Sequence, residues 1–106
     1  MPLVRIDLVR GRNLVELKFL ADQIHGAIVD VMKIPLRDRF QIITQHDQTE
    51  IFAEDAGLGF ERDDKIVMIQ ITTQAGRDTN LKQRLFQKIT SAIAVAGVEP
   101  RNVFIS

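Results

Sequence analysis

PLVRIDLVRGR, residues 2–12, and VMIQITTQAGR, residues 67–77, lie 65 positions apart and carry the same pattern. Val4, Ile6 and Leu8 fall on one side, as do Val67, Ile69 and Ile71, while Arg5, Asp7, Gln70 and Thr72 fall on the other. That period of two, rich in β-branched residues, predicts strands over residues 3–8 and 66–73. A Gly-Arg pair then ends each run, at Gly11-Arg12 and Gly76-Arg77.

Working outward, the 65-residue offset continues through Leu20/Leu85, Ile24/Ile89, Ala27/Ala92, Ile28/Ile93 and Pro35/Pro100. These identities mark helix faces and strand entries, so the chain holds an internal repeat. Leu17, Leu20, Ile24, Ala27, Ile28 and Val31 recur at helical spacing, as do Leu81, Leu85, Ile89, Ala92, Ile93 and Ala96. Asn13 with Glu16 forms a capping box for the first helix, and Asp78 or Thr79 caps the second. Each helix stops before a proline, and further strands follow at residues 39–45 and 102–105.

The unit is therefore β-α-β, present twice, over residues 2–45 and 66–106. Strands joined through a helix pair in parallel by a right-handed crossover. The expected fold is α/β, or α+β in some schemes: a four-stranded sheet with two helices on one face. The opposite face, with Leu3, Ile66, Met68, Gln70 and Phe40 beside charge, is half apolar and points to burial in an oligomer. Residues 46–65 have no counterpart in the repeat. With seven acidic residues against one arginine over 46–64, they read as a solvated connector, with Ile51-Phe52 a short edge strand and 57–60 a turn.

One domain spanning residues 1–106 is the expectation from length. Fourteen basic residues balance fourteen acidic ones, so no global field attracts nucleic acid or an anionic membrane. The absence of cysteine excludes a disulfide scaffold, a thiolate metal site and a cysteine nucleophile. Two histidines do not make an all-histidine metal site. No cofactor motif stands out, and the lack of a signal-peptide or membrane-length apolar run makes the cytoplasm the expected location.

Three features can carry chemistry. An initiator methionine is normally removed before proline, which leaves Pro2 with a free secondary amine. An α-amino group titrates near pH 7.7–8.0 in water, and burial in an apolar pocket lowers that value toward a free base at neutral pH. Arg12 and Arg77 each follow a glycine where a strand gives way to a helix N-terminus, a place suited to gripping a carboxylate. Asp38 lies between Arg37 and Arg39 at a strand entry, where neighbouring cations keep a carboxylate ionised, able to orient a water or hold a proton donor. His25, one residue beyond Ile24, reads as the exposed edge of the first helix, and His46 merely opens the acidic connector.

Met-Pro at the start, tandem β-α-β units and no metal motif together resemble the tautomerase superfamily. MPLVRIDL at 1–8, Ile34-Pro35, DRFQII at 38–43, GLGFERDDK at 57–65 and the AGR turn at 75–77 resemble its malonate semialdehyde decarboxylase-like group, alongside the 4-oxalocrotonate tautomerase-like proteins. The resemblance implies a homotrimer with a pocket at each N-terminal proline, acting on a small carboxylate substrate without a cofactor. Pro2, Asp38 and Arg77 are then the catalytic candidates, and Arg12, Gln74 and Phe40 the substrate-binding ones.

Two departures stand out. The decarboxylase has two nearly adjacent arginines after its third strand; here Gln74 or Ala75 stands for one of them and only Arg77 remains. Similar proteins also continue past this point with a segment carrying an aromatic residue and glycines. The weaker carboxylate grip ranks keto–enol tautomerisation, with Pro2 as base, above decarboxylation or hydration with Pro2 as cation. A chain that keeps Met1 would be a third case, an oligomeric domain without chemistry.

Overall fold

The computed structural model describes residues 2–74 and 78–106. Its elements run β1 (Leu3–Val9), α1 (Leu14–Met32), β2 (Gln41–His46), β3 (Val67–Thr72), α2 (Thr79–Ala94) and β4 (Val103–Ile105). Single 3₁₀ turns occupy Gln48–Glu50 and Pro100–Asn102. The strands form one sheet in the order β2-β1-β3-β4. β1 pairs in parallel with β2, and β3 with β4, while β1 and β3 meet antiparallel with Leu3 opposite Thr72 and Leu8 opposite Val67. Two β-α-β units are thus joined along their first strands, as the repeat predicts.

The caps explain where the helices begin. Asn13 Oδ1 accepts from the Glu16 N–H at 2.8 Å, and Glu16 Oε1 accepts from the Asn13 N–H at 3.0 Å. Asp78 Oδ1 accepts from the Leu81 N–H at 2.6 Å. Each bond satisfies a donor that a helix N-terminus leaves without a partner. At the other end, α1 closes on Lys33 in the left-handed conformation, whose N–H donates to the Val29 carbonyl. Gly97, at a φ of +84° that L side chains rarely adopt, turns the chain after α2.

Alternation then sorts the two sheet faces. Val4, Ile6, Leu8, Val67 and Ile69 are buried against Leu20, Ile24 and Ile28 of α1 and Leu85, Ile89 and Ile93 of α2. The face without helix cover carries Arg5, Asp7, Ile42, Met68, Gln70 and Phe104. There Asp7 Oδ1 and His46 Nε2 lie 2.7 Å apart. Ile66, expected on that open face, is buried just ahead of β3.

Two further expectations need correction. Residues 51 and 52 form no strand, and Phe52 stands 92% exposed. Their apolar composition suits a strand, but they make no ladder with the four-stranded sheet. His25 is buried at 5% exposure rather than lying on a helix edge. A wide apolar stripe takes in the residue beside Ile24, and its ring finds a polar partner inside.

The acidic connector is tied down at both ends of its second half. Asp55 accepts from the N–H groups of Gly57 at 3.0 Å and Gly59 at 2.6 Å, closing the expected 57–60 turn. Asp63 and Asn102 exchange two hydrogen bonds: the Asp63 N–H donates to Asn102 Oδ1 at 3.1 Å, and Asn102 Nδ2 donates to Asp63 Oδ1 at 2.8 Å. Arg101 adds an ion pair to Asp63 Oδ2 at 2.8 Å.

These donors hold both carboxyls below their ordinary range: the Lys65 N–H first for Asp63, the Gly57 N–H first for Asp55. A depressed carboxyl contributes stability above its unfolded value of about 3.9, and loses it as pH falls through the lower folded value. The urea midpoint should therefore be level between about pH 5 and 7 and decline below about pH 4. Asp55→Asn should make that decline shallower; equal slopes for the two proteins would contradict the assignment.

Candidate active site

Pro2 is buried directly ahead of β1, the strand flanked by β2 on one side and β3 on the other. A chain end is ordinarily frayed. Here the Val4 N–H donates to the Phe40 carbonyl at 2.9 Å, and Leu3 faces Thr72 across the antiparallel ladder. Proline's locked ring adds stiffness of its own.

Three of the candidate residues converge on this end of the sheet. Residues 33–40 link α1 to β2, which runs parallel to β1 and so starts beside β1's start. Asp38 lies on that link, partly buried, with its N–H donating to the Pro35 carbonyl at 3.0 Å. Phe40 is 49% exposed, and its backbone is held by β1. β3 arrives from the opposite direction, so exposed Gln74, two residues past Thr72, is at the same end. Arg77 lies outside the described residues.

The charge cluster around Asp38 is arranged differently from its order in the chain. Arg39 turns away, its Nη2 paired with Asp22 Oδ1 at 2.8 Å and its Nε donating to Gln41 Oε1 at 2.8 Å. Gln41 Nε2 in turn donates to the Ala21 carbonyl at 2.9 Å. Arg39 therefore staples the start of β2 to α1.

Arg12 is not with the others. It follows β1, whose seven residues at about 3.4 Å each set its two ends roughly 20 Å apart. Half-buried, it donates from Nη2 to the Lys65 carbonyl at 3.1 Å. Burial pushes its guanidinium below the usual arginine value, while Glu16, Asp64 and Asp63 pull the other way. Arginine remains a cation throughout ordinary pH. Beside that end lies a cavity of about 310 Å³ whose lining includes Val9, Gln48, Arg62, Asp63 and Asp64. Arg12 is not in its lining, and two carboxylates against the Arg62 guanidinium make the cavity itself a poor seat for an anion.

At the Pro2 end, Thr73 escaped the sequence reading and His25 was placed by it on an exposed helix edge. Thr73, one past β3, has a buried Oγ1 with no hydrogen-bond partner among the described residues. His25 Nε2 lies 2.7 Å from the Leu36 carbonyl, on the same link as Asp38. No periodicity flags a threonine at a strand end, and a helix-face count places His25 only to within one position.

Among the described residues, no trio of His, Asp or Glu side chains is placed to hold a metal ion, and no helix is long and apolar enough to cross a membrane. Tandem β-α-β units in one four-stranded sheet, with Pro2 buried at the head of an interior strand, define the class of fold.

The family comparison agrees: models described as tautomerase enzyme match residues 38–106 and residues 2–61. The chain belongs to the tautomerase family and is an enzyme of that kind. It is 32% identical to the probable tautomerase YrdN of Bacillus subtilis (strain 168), over all of this chain and 82% of that one. FG41 malonate semialdehyde decarboxylase inhibited by 3-bromopropiolate is 50% identical at a TM-score of 0.95, covering 97% of this chain and 79% of that one. A fused 4-OT symmetric trimer shares the fold, with a TM-score of 0.80 and 19% identity over 97% of this chain and 80% of that one.

Proposed function

We propose that this protein is a cofactor-independent, cytoplasmic keto–enol tautomerase acting on a small 2-oxo acid, with the Pro2 amine as the general base. The observation that supports this reading most is the buried position of Pro2 at the head of the central strand. Desolvation disfavours the ammonium form, so the amine accepts a proton at neutral pH. Arg77 and Arg12 hold the carboxylate, Gln74 and Phe40 shape the pocket, and Asp38 orients the polar end of the substrate. Enolate charge developing in the transition state is offset by these cations.

Arg12 cannot reach the Pro2 of its own chain, since β1 separates them. It can serve the Pro2 of another copy, which is what a homotrimer supplies. The half-apolar open face of the sheet is suited to that assembly.

A second reading has one observation in its favour, the 50% identity to a malonate semialdehyde decarboxylase over almost the whole chain. Decarboxylation needs Pro2 as a cation that polarises a carbonyl, so its pH dependence has the opposite sign. For the tautomerase, kcat/KM for phenylpyruvate should rise as pH climbs through the amine's pKa and then level off. Loss of carbon dioxide from a 3-oxo acid should instead slow over the same interval. A phenylpyruvate profile that falls with pH would overturn the base assignment.

A further inference from the structure

We infer that His25 is a positioning residue: by holding the Leu36 carbonyl, it sets where the 33–40 link carries Asp38 and Phe40 beside Pro2. The inference rests on the reading of Pro2 as the reacting group.

The bond has one chemical sense. A carbonyl oxygen can only accept, so at 2.7 Å the Nε2 of His25 bears the hydrogen. The ring is buried on α1, where Ile24, Ala27 and Ile28 are buried as well. A leucine there could fill the same volume without any polar atom to satisfy. What an apolar side chain could not do is hold a backbone oxygen of the link.

That link needs holding. Leu36 is 71% exposed, so its side chain gives almost no apolar purchase. Ile34 packs against the core, but it precedes Pro35 and the turn. Three backbone anchors fix the rest. His25 takes the Leu36 carbonyl, the Asp38 N–H closes on the Pro35 carbonyl, and the Val4 N–H takes the Phe40 carbonyl. Asp38 lies between the first and third. Without His25, the stretch from Ile34 to Phe40 loses its bond to α1 at Leu36 and keeps its own turn, the Arg39–Asp22 pair and its exit into β2. A carboxylate displaced by about 1 Å from its working place costs up to two orders of magnitude in rate.

Two substitutions separate holding from packing. His25→Leu keeps the volume and removes the donor, while His25→Gln offers an amide N–H at the reach of Nε2. In His25→Leu, kcat should fall at least about tenfold while KM moves less than about threefold, because the link and not the carboxylate grip is disturbed. His25→Gln should recover to within about threefold of the parent. Amide exchange at Asp38 should be faster in the leucine variant and return to parental protection in the glutamine one. Unchanged exchange and kcat in His25→Leu, or a glutamine variant no better than leucine at equal folded fraction, would overturn the inference. If His25→Leu fails to fold, His25→Asn replaces it, since its shorter amide stops short of the carbonyl. Should Pro2→Ala keep parental turnover, the functional reading falls, yet the exchange at Asp38 still decides whether His25 holds the link.

Discussion

Turnover should be absent from any molecule that keeps Met1, and should fall by about 10² to 10⁴ when general-base catalysis at the Pro2 nitrogen is lost. With Met1 attached, that nitrogen is a tertiary amide, and resonance with the carbonyl leaves no lone pair for a proton. Intact-mass measurement separates the two populations by one methionine. Activity per molecule should track the processed fraction alone, and trimming with a methionine aminopeptidase should restore it. Pro2→Ala is the milder test, because a primary amine remains but loses the ring that fixes its direction. Equal activity in processed and unprocessed protein would remove Pro2 from the mechanism altogether.

Asn102→Ala should destabilise the fold by about 2–4 kcal/mol, with a fall in melting temperature of about 10 °C or more. Asn102 is buried at 1% exposure, and both ends of its amide are occupied by Asp63. Truncation leaves the Asp63 N–H without an acceptor and opens a cavity beside β4. Asn102→Leu tests the polar share alone, since it fills the space but satisfies nothing. A leucine variant as stable as the parent would show that volume, not hydrogen bonding, holds the connector. Differential scanning calorimetry on the three proteins makes the comparison.

Much of the architecture could be read from residues that recur 65 positions apart. Both strands of the central pair, the helix stripes and the Asn13 and Asp78 caps follow local rules of period and capping, and the structure has them. The connector did not follow. Ile51-Phe52 has the composition of an edge strand, yet neither residue joins the sheet, and composition alone does not decide pairing. The Asp63–Asn102 exchange joins residues 39 positions apart that have no periodic relation.

At the site, the family resemblance brought Pro2, Asp38, Phe40 and Gln74 together, and the sheet topology sets them at one end. Arg12 could not be assigned to that end, because a strand reverses the position of whatever follows it. Arg39 was misleading for a related reason: adjacency to Asp38 in the chain gave way to an ion pair with Asp22 on α1. Thr73 and His25 came to light only through what surrounds them in three dimensions.

The placement of Pro2 at the head of an interior strand has a consequence for how activity is lost on heating. Chain ends usually open locally, long before the body of a protein gives way. Here the end is clamped between two neighbouring strands, so no small opening frees it. Thermal inactivation and global melting should accordingly superimpose. On the function proposed above, the nitrogen that accepts the proton has no flexible tether of its own, and it inherits the durability of the entire sheet.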